Sequence, residues 1–510
     1  MSATAASICD DDASPQGELL ASHLEHPLGR GRRPHEAFTG AAGGAACGDL
    51  IRISLTVDAA SPEGRIDDAG FDASGCGAIV AAGSAVVGLI SGAPLLDAAR
   101  IGAAAIADEL GGLSAAKLHA AELAADALHR ALGGAARETV TLANCAQRTL
   151  VAMSGGVDSA VAALLTQRSG ASAVGVTLEL WADPENDGDL SCCSAQAVRG
   201  ARTLAHELGM PHLSIDLRRE FRAGVVDGWL DDHAHGLTPN PCVRCNGSVR
   251  LDAMLELARR LGCETLATGH YARVAERSFE DEPEARLRPG APSPLLQTAL
   301  DERKDQSYVL CALAPSSLAR LRFPLGDLHK QQVRGLAEDE GLAVARKRES
   351  QDLCFLAGTR QRDFLQRHAG LGVQPGPIVD RDGALLGEHT GVHTYTVGQR
   401  HGLGLSASEP LYVLATDTRS NTITVGPRAA LLARELRVRD ATLLRDGLCV
   451  DGVRVRAHGR RLACSLPELA AGRHERLTIE LEQPAERTAP GQIACMYSGD
   501  LVVGHATIAA

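Results

Sequence analysis

The sequence predicts an α/β protein built around a doubly wound parallel sheet, with an α+β domain before the sheet and two β-rich domains after it. Strand and helix patterns alternate through residues 148–362, and the first strand leads into a glycine turn and a helix. After residue 363 the helical patterns give way to short strands and turns. The length of 510 residues suits about three or four domains.

These patterns divide the chain into six segments. They are a disordered tail at 1–24, an α+β domain at 25–133, a linker at 134–147, the parallel-sheet domain at 148–362, a small β-rich domain at 363–433 and a β-barrel at 434–510.

The composition excludes several classes of protein. No stretch has the length and apolarity of a membrane span, and the first twenty residues lack a secretory signal, so we expect a cytoplasmic protein without a membrane partner. Fourteen cysteines without such a signal indicate thiol chemistry or metal binding rather than a disulfide scaffold. Residues 1–150, with 10 basic and 18 acidic side chains, account for −8 of the net charge of −12, so a nucleic-acid partner remains compatible with the later domains.

The α+β domain opens with a period-two pattern. Ile51, Ile53 and Leu55 alternate with polar residues, which predicts a half-buried strand. A second strand, a Gly-Cys-Gly turn and an apolar helix follow. Further helices are predicted over Pro94–Leu110 and Ser114–Leu132.

Three short motifs of this domain, Cys47-Gly48-Asp49, Ser74-Gly75-Cys76-Gly77 and Lys117-Leu118-His119, resemble the iron–sulfur scaffold family of IscU and the amino-terminal part of NifU. The resemblance implies an IscU-like fold and a zinc or nascent iron–sulfur site. Its ligands would be Cys47, Asp49, Cys76 and His119. The family's third cysteine is Ala120 here, so retained metal binding and a degenerate docking domain both stay open.

The stretch from Met153 to Ser159 is predicted to cradle phosphate. It follows an apolar strand, and Gly155 and Gly156 let the backbone approach an anion at the start of a helix. Asp158 suits such a site only when a divalent cation lies between it and the phosphates. The stretch has neither the Walker A lysine nor the dinucleotide-binding glycine pattern.

This loop resembles the SGGxDS loop of the PP-loop ATP pyrophosphatases, which release pyrophosphate and leave AMP on the substrate. Four motifs follow it in order: TPNPCVRCN at 238–246, TGHYAR at 268–273, KDQSY at 304–308 and SQDLCF at 350–355. Together they resemble the tRNA-specific 2-thiouridylases, the MnmA family.

The MnmA resemblance implies ATP and Mg²⁺ as cofactors, tRNA as a partner, and a persulfide relay or cysteine desulfurase as sulfur donor. We expect a monomer. The implied ATP contacts are Met153, Ser154, Gly155, Gly156, Val157, Asp158, Ser159, Ala160, Leu178 and Gly269. The implied contacts of the target base are Asn240, Pro241 and Cys242, and those of tRNA are Lys304, Asp305, Gln306 and Arg456.

The thiols of the TPNPCVRCN segment follow two prolines. Pro239 and Pro241 are expected to prevent a helix up to Cys242, which places Cys242 and Cys245 on a held loop at the start of the next helix. A helix amino terminus lowers the pKa of a thiol there. A CxxC pair alone is compatible with zinc, redox and cluster roles.

The resemblance further implies a tRNA-uridine 2-sulfurtransferase. The wobble uridine is flipped into the pocket, its C2 carbonyl oxygen is adenylated with loss of pyrophosphate, and a persulfide on Cys354 delivers sulfur as AMP departs. Asp158 would anchor magnesium, and Cys245 would be the nucleophile that frees sulfide or closes a disulfide with Cys354.

Other mechanisms and functions stay open at this stage. Cys242, Cys245 and Cys354 can instead bind a [4Fe–4S] cluster in a related thiolase. The chain can also be another PP-loop adenylating synthetase, or an iron–sulfur scaffold or carrier whose nucleotide domain regulates transfer. In the last domain apolar residues alternate with arginines, as at Val453-Arg454-Val455-Arg456, which suits either phosphate tracking or a protected edge strand.

Overall fold

The structure is a computed structural model that describes residues 15–43, 48–183, 194–275, 294–347 and 353–509. Within these ranges, no helix combines the length and apolarity needed to cross a membrane.

The first domain is α+β, as predicted, and packs helices on an antiparallel sheet of three strands, one more than the two predicted from the sequence. In chain order its elements are α1 (Pro15–Glu25), β1 (Phe38–Gly43), β2 (Leu50–Val57), β3 (Ile66–Ser74), α2 (Gly77–Ile90), α3 (Leu95–Ala98), α4 (Ala103–Glu109) and α5 (Leu118–Glu138). The apolar residues of the period-two pattern in β2 are buried, because this face packs on the helices: Ile51, Ile53 and Leu55.

Three predictions about this part of the chain are wrong. Of the disordered tail predicted at 1–24, residues 15–24 lie in α1, where His23 Nδ1 is 2.8 Å from the Ser84 hydroxyl of α2, and residues 1–14 lie outside the described residues. The helix predicted over Pro94–Leu110 is divided into α3 and α4, because Gly102 is extended at the start of α4. The predicted linker at 134–147 begins inside α5, whose Gly133 and Gly134 lie in the helix.

The second domain contains the parallel sheet. Its strands are β4 (Cys145–Ala152), β5 (Ser172–Glu179), β6 (His212–Asp216), β7 (Cys263–Ala267), β8 (Arg273–Ala275), β9 (Leu295–Gln297) and β10 (Leu321–Arg322). Its helices are α6 (Val157–Arg168), α7 (Ala195–Glu207), α8 (Arg218–Phe221), α9 (Asp227–Ala234), α10 (Pro241–Cys245), α11 (Leu251–Arg260), α12 (Ser307–Leu310), α13 (Pro315–Leu318) and α14 (Lys330–Asp339). Helical turns of the π type at Arg222–Val226 and Asn246–Arg250 join α8 to α9 and α10 to α11.

The parallel strands have the order β10-β7-β4-β5-β6, which confirms the doubly wound sheet. The chain moves outward from β4 through β5 to β6 and then crosses to β7 on the other side of β4. The strand order therefore reverses beside the carboxyl end of β4. Doubly wound sheets bind their ligands in the crevice at such a point.

Two β-rich domains follow. The third domain comprises α15 (Gln361–Ala369), β11 (Gly376–Val379), β12 (Leu385–His389), β13 (Tyr412–Asp417) and β14 (Thr422–Gly426). The fourth comprises β15 (Leu432–Leu443), β16 (Gly452–Arg454), β17 (Leu462–Ser465), β18 (Gly472–Glu486), β19 (Ile493–Ser498) and β20 (Leu501–Ile508). Because β15 pairs with both β18 and β20, these six strands close into the predicted barrel.

Neighbouring domains share packing surfaces. The alanines of α5 lie in one hydrophobic core with Leu213 and Ile215 of β6, so the first and second domains are packed together. The β8–β9 hairpin of the second domain pairs with β20 of the barrel, where Gln297 lies opposite Leu501.

Candidate active site

The loop from Met153 to Ser159 leaves the carboxyl end of β4 and enters α6 at the point where the strand order reverses. The Met153 N–H donates to the Val176 carbonyl on β5 at 2.8 Å. Gly155 has a φ of +67°, and a Cβ there would lie 2.8 Å from the Ala197 carbonyl oxygen of α7. A glycine is needed at this turn, as the predicted cradle requires.

Side chains of the loop fix its shape. The Ser159 hydroxyl donates to the Gly156 carbonyl at 3.0 Å and accepts from the Ser154 N–H at 3.1 Å. Gly156 is extended at the start of α6, whose first residues Val157 and Ala160 are buried. The helix amino terminus is thus held at the end of the loop, where its dipole favours an anion.

Asp158 is held by two donors from distant parts of the chain. Lys330 Nζ donates to Asp158 Oδ1 at 2.6 Å, and the Tyr271 hydroxyl donates to the same oxygen at 2.9 Å. A second ammonium group, that of Lys347, donates to the Gly155 carbonyl at 2.9 Å. Sequence reasoning missed both lysines, because a single lysine outside a motif carries no signal of its partner.

The TGHYAR turn after β7 lies against the start of α6. A Cβ on Gly269 would lie 2.7 Å from the Ser159 nitrogen, so a larger residue would displace the helix. His270 is buried with its Nδ1 2.8 Å from the Thr268 hydroxyl, and burial, with a smaller effect of a nearby arginine, lowers its pKa to about 3. The ring is therefore neutral near pH 7. Leu178, the predicted adenine neighbour, is buried in β5.

The CxxC thiols lie on a helix, which corrects the predicted loop. Pro241 is the first residue of α10, where a missing N–H breaks no helical bond. The Asn240 side chain accepts from the Cys242 N–H at 3.1 Å and caps this helix. Burial raises the pKa of the Cys242 thiol, so the expected lowering by the helix terminus does not prevail.

Cys245 is buried and Cys354 is partly buried, and both border the extended hydrophobic core that runs from the first domain to the barrel. Next to Cys354, the Phe355 ring lies 6.4 Å from that of Trp181 and 5.2 Å from that of Trp229, which are the two tryptophans of the chain. The segment SQD before Leu353 lies outside the described residues. The disulfide between the two thiols stays a prediction.

Three domains meet at the TPNP segment. The Thr238 N–H donates to the Pro490 carbonyl at 2.8 Å, and Gln492 Nε2 donates to the Thr238 carbonyl at 2.6 Å. The Thr238 hydroxyl is 3.3 Å from that of Thr396 in the third domain. Thr238, which precedes the predicted base contacts, is thus held by both β-rich domains.

One of the predicted tRNA contacts, Asp305, has a buried side chain, and its contact with tRNA stays a prediction. Asp305 is buried with its side chain 1% exposed, and it accepts from Arg454 Nη1 of the barrel at 2.6 Å and from the Ser307 hydroxyl at 2.7 Å. This carboxylate joins two domains. Gln306 Oε1 accepts from the Tyr271 N–H at 2.9 Å, so this segment also supports the residue that contacts Asp158. The other three predicted tRNA contacts reach solvent, Arg456 being exposed and Lys304 and Gln306 partly exposed.

Three of the predicted metal ligands converge in the first domain, and Cys47 lies outside the described residues. The Cys76 thiol donates to Asp49 Oδ2 at 3.1 Å, and His119 Nε2 lies 2.9 Å from the same oxygen. All three ligand atoms lie within 4.8 Å of one another. Burial and the Asp49 hydrogen bond raise the pKa of the Cys76 thiol. A thiolate, a carboxylate and an imidazole in one place form a donor set that suits zinc.

The sequence matches four domain families in chain order. These are a NifU-like N terminal domain at 17–139, a tRNA methyl transferase HUP domain at 147–358, a tRNA methyl transferase PRC-barrel domain at 362–427 and an aminomethyltransferase beta-barrel domain at 446–508.

A protein from Rubrobacter xylanophilus, named bifunctional protein NifU/MnmA, is 42% identical over 509 residues, which cover 97% of this chain and 98% of that protein. The chain belongs to the NifU/MnmA family. Proteins named tRNA-specific 2-thiouridylase MnmA are 42% identical in Chloroflexus aggregans and 40% identical in Moorella thermoacetica. These two matches cover 71% and 70% of this chain and 98% of each relative.

Proposed function

We propose that this NifU/MnmA protein is a tRNA-uridine 2-sulfurtransferase, which uses ATP to replace the C2 oxygen of the wobble uridine with sulfur. The observation that carries the proposal is the phosphate loop at the reversal point of the parallel sheet, where Lys330 and the Tyr271 hydroxyl both donate to Asp158. Its similarity over nearly the whole length to a NifU/MnmA protein supports the same activity.

The loop residues and the two lysines would bind and orient ATP. The phosphates would lie over the backbone of Gly155 and Gly156 at the start of α6, where N–H groups and the helix dipole favour an anion. Asp158 would hold Mg²⁺, which when bound offsets phosphate charge. Lys330, 2.6 Å from Asp158, brings a further cation to the same place. The uridine O2 would attack the α-phosphate, which releases pyrophosphate and leaves the base adenylated.

The two thiols would complete the replacement. A sulfur donor first leaves a persulfide on Cys354, whose terminal sulfur attacks C2 of the adenylated base as AMP leaves. The Cys245 thiolate then attacks the Cys354 sulfur, which releases 2-thiouridine and forms the Cys245–Cys354 disulfide. A thiol reductant restores both thiols. Because Cys245 is buried, water has little access to its thiol.

The direct test is incubation with ATP, Mg²⁺, a persulfide donor and unmodified tRNA, followed by nucleoside mass analysis. We expect 2-thiouridine with the unaltered protein and with Cys145→Ser, a matched cysteine change outside the thiol site, but none with Cys354→Ser. Full turnover by Cys354→Ser would favour another PP-loop synthetase. ATP binding without tRNA-dependent pyrophosphate release would favour a carrier, and absence of thiolated product would contradict the proposal.

A second mechanism is supported by Cys242, a third thiol on the same short helix as Cys245. With Cys354 these residues would hold a [4Fe–4S] cluster, which when bound supplies an iron open to sulfide. Anaerobic purification followed by iron and sulfide analysis of the unaltered protein and of Cys242→Ala separates the mechanisms. Bound iron that is lost in Cys242→Ala supports the cluster. Absence of iron from the unaltered protein excludes it.

A further inference from the structure

Helix α5 of the first domain lies along β6, the outermost strand of the parallel sheet. Strand β6 bonds to β5 through the Pro211 carbonyl and the Leu217 N–H. In a parallel pair alternate residues face the neighbour, so the carbonyls of His212, Ser214 and Asp216 face away from β5. An uncovered row of this kind is a site for unwanted strand pairing.

Three residues of α5, spaced four apart, lie against these three carbonyl oxygens. His129 Nδ1 lies 2.7 Å from the first, and Arg137 Nη1 donates to the third at 2.8 Å. A Cβ on Gly133 would lie 2.0 Å from the second, so glycine permits the close packing. Four helical residues rise roughly 6 Å and two strand residues roughly 6.6 Å, so the spacing of these helix residues matches the spacing of the carbonyls along the strand. The first domain therefore covers the edge of the parallel sheet of the second domain, which is called the catalytic domain below.

Two carboxylates lie side by side where β5 and β6 end. Glu179 and Asp216 are opposite each other in the strand register. Arg218 of the catalytic domain pairs with Asp216, its Nε donating at 2.9 Å. Glu179, whose side chain is 7% exposed, is paired instead with Arg130 of α5, through Nε at 2.9 Å and Nη2 at 3.1 Å. The first domain thus supplies the arginine that forms this two-bond ion pair.

Glu179 lies near the phosphate loop. It follows Val176 by three residues, and the Val176 carbonyl accepts from Met153, the first residue of the loop. Three strand residues span roughly 10 Å. Without Arg130 the buried Glu179 carboxylate keeps only the charge of Arg218, which is paired with Asp216, and would repel nucleotide phosphates at a distance of about this order.

We propose that the first domain completes the nucleotide site of the catalytic domain. Helix α5 covers the β6 edge, and Arg130 is a positioning residue that neutralises Glu179 so that ATP phosphates bind the loop at full affinity. The inference rests on the proposed function, because it takes ATP as the ligand. It assigns to the NifU-like domain a role in ATP binding that is separate from metal or sulfur binding.

The test is calorimetric titration of the full chain with ATP and Mg²⁺. Arg130→Met is expected to bind ATP about tenfold more weakly, the size of effect that one uncompensated charge exerts at such a distance. Arg130→Lys should fall between this variant and the unaltered protein. Arg130→Met combined with Glu179→Gln should return to within about threefold of the unaltered affinity, because the repelling charge is gone. That rescue would not occur if Arg130 only held the domains together.

Arg65→Met is the matched control, since Arg65 lies in the first domain and forms an exposed ion pair with Glu63 of the same domain. It should bind ATP like the unaltered protein. Equal affinity of Arg130→Met and the unaltered protein would overturn this inference alone. The inference would also be overturned if Arg130→Met combined with Glu179→Gln bound ATP as weakly as Arg130→Met alone. Failure of the unaltered protein to bind ATP would overturn the proposed function and this inference with it.

Discussion

Asp158 and Lys330 lie side by side at the start of α6, with the Lys330 ammonium 2.6 Å from the carboxylate and its side chain 11% exposed. The Tyr271 hydroxyl fixes the same oxygen. The loop thus has a carboxylate that can hold Mg²⁺ and a cation that can meet phosphate, although the loop sequence itself contains no lysine.

Replacing Asp158 by Asn should lower tRNA-dependent pyrophosphate release by about a hundredfold or more, because the loop loses the ligand proposed for Mg²⁺. The change keeps the shape of the side chain and its contact with Tyr271. Thiol titration of the variant should give the unaltered number of reactive cysteines, which separates loss of adenylation from unfolding. Pyrophosphate release within tenfold of the unaltered rate would contradict the role of Asp158.

Replacing Lys330 by Met should weaken ATP binding and slow pyrophosphate release together, because the variant leaves Asp158 without its ion pair and removes one of the cations proposed to meet the phosphates. We expect a loss of about tenfold to a hundredfold. Lys330→Arg is the matched control and should retain most of the activity because it keeps the charge. Equal losses in both variants would indicate a packing role instead.

At the scale of elements, the segment leading into α12 joins the catalytic domain to the barrel. Asp305 pairs with Arg454 of β16, and the Ser307 hydroxyl lies 3.1 Å from that of Tyr497 on β19. The Tyr308 hydroxyl donates to the Ile493 carbonyl at 3.0 Å. Buried polar groups with satisfied partners specify one docking geometry, so this segment sets the position of the barrel.

The Asp305→Asn variant should be destabilised by about 3–5 kcal/mol, because it leaves the Arg454 charge largely buried without a counterion. The effect should appear as a lower thermal midpoint and as faster hydrogen exchange in β16 and β19. Arg428→Met, which removes an exposed pair with Glu486 in the same part of the chain, should change stability by less than about 1 kcal/mol. Similar midpoints for the two variants would show that the buried pair does not hold the barrel.

At the scale of the whole molecule, histidines are buried where domains and layers meet. His129 and His212 lie between the first domain and the parallel sheet, and burial lowers the pKa of each well below its usual value. Burial likewise lowers the pKa of His233, near the third domain, to about 4. The folded protein therefore keeps these rings neutral at pH values where the unfolded chain protonates them.

Stability should therefore fall as the pH drops below about 6.5, where unfolded histidines begin to bind protons. The contribution of neutral His233 to the free energy of unfolding is complete above that pH. It is lost progressively as the pH falls to about 4, the pKa of His233 in the folded protein. Its loss should amount to about 3 kcal/mol. Thermal midpoints measured between pH 4 and 7 should show a shallower decline for His233→Gln than for the unaltered protein. His458→Gln, an exposed control, should keep the original slope, and an unchanged slope in His233→Gln would contradict the account.

Local sequence determined the phosphate loop, the alternation of strands and helices and the order of the domains. Gly155 and Gly156 lie between an apolar strand and a helix, and few backbone conformations can join these elements there. Short-range sterics and hydrogen bonding decide that conformation. The same holds for β2, whose period-two pattern identifies its buried face. The motifs that resemble MnmA and NifU added the expected chemistry to these elements.

Tertiary structure alone decided which distant groups complete the site. Lys330 meets Asp158 across 172 positions of sequence, and Asp305 meets Arg454 across 149, so no local pattern marks either pair. The same reason explains why the sequence did not reveal the burial of the Asp305 side chain, since its partner Arg454 belongs to a domain more than a hundred residues later in the chain. Arg130 shows this most clearly, because the charge it neutralises belongs to another domain.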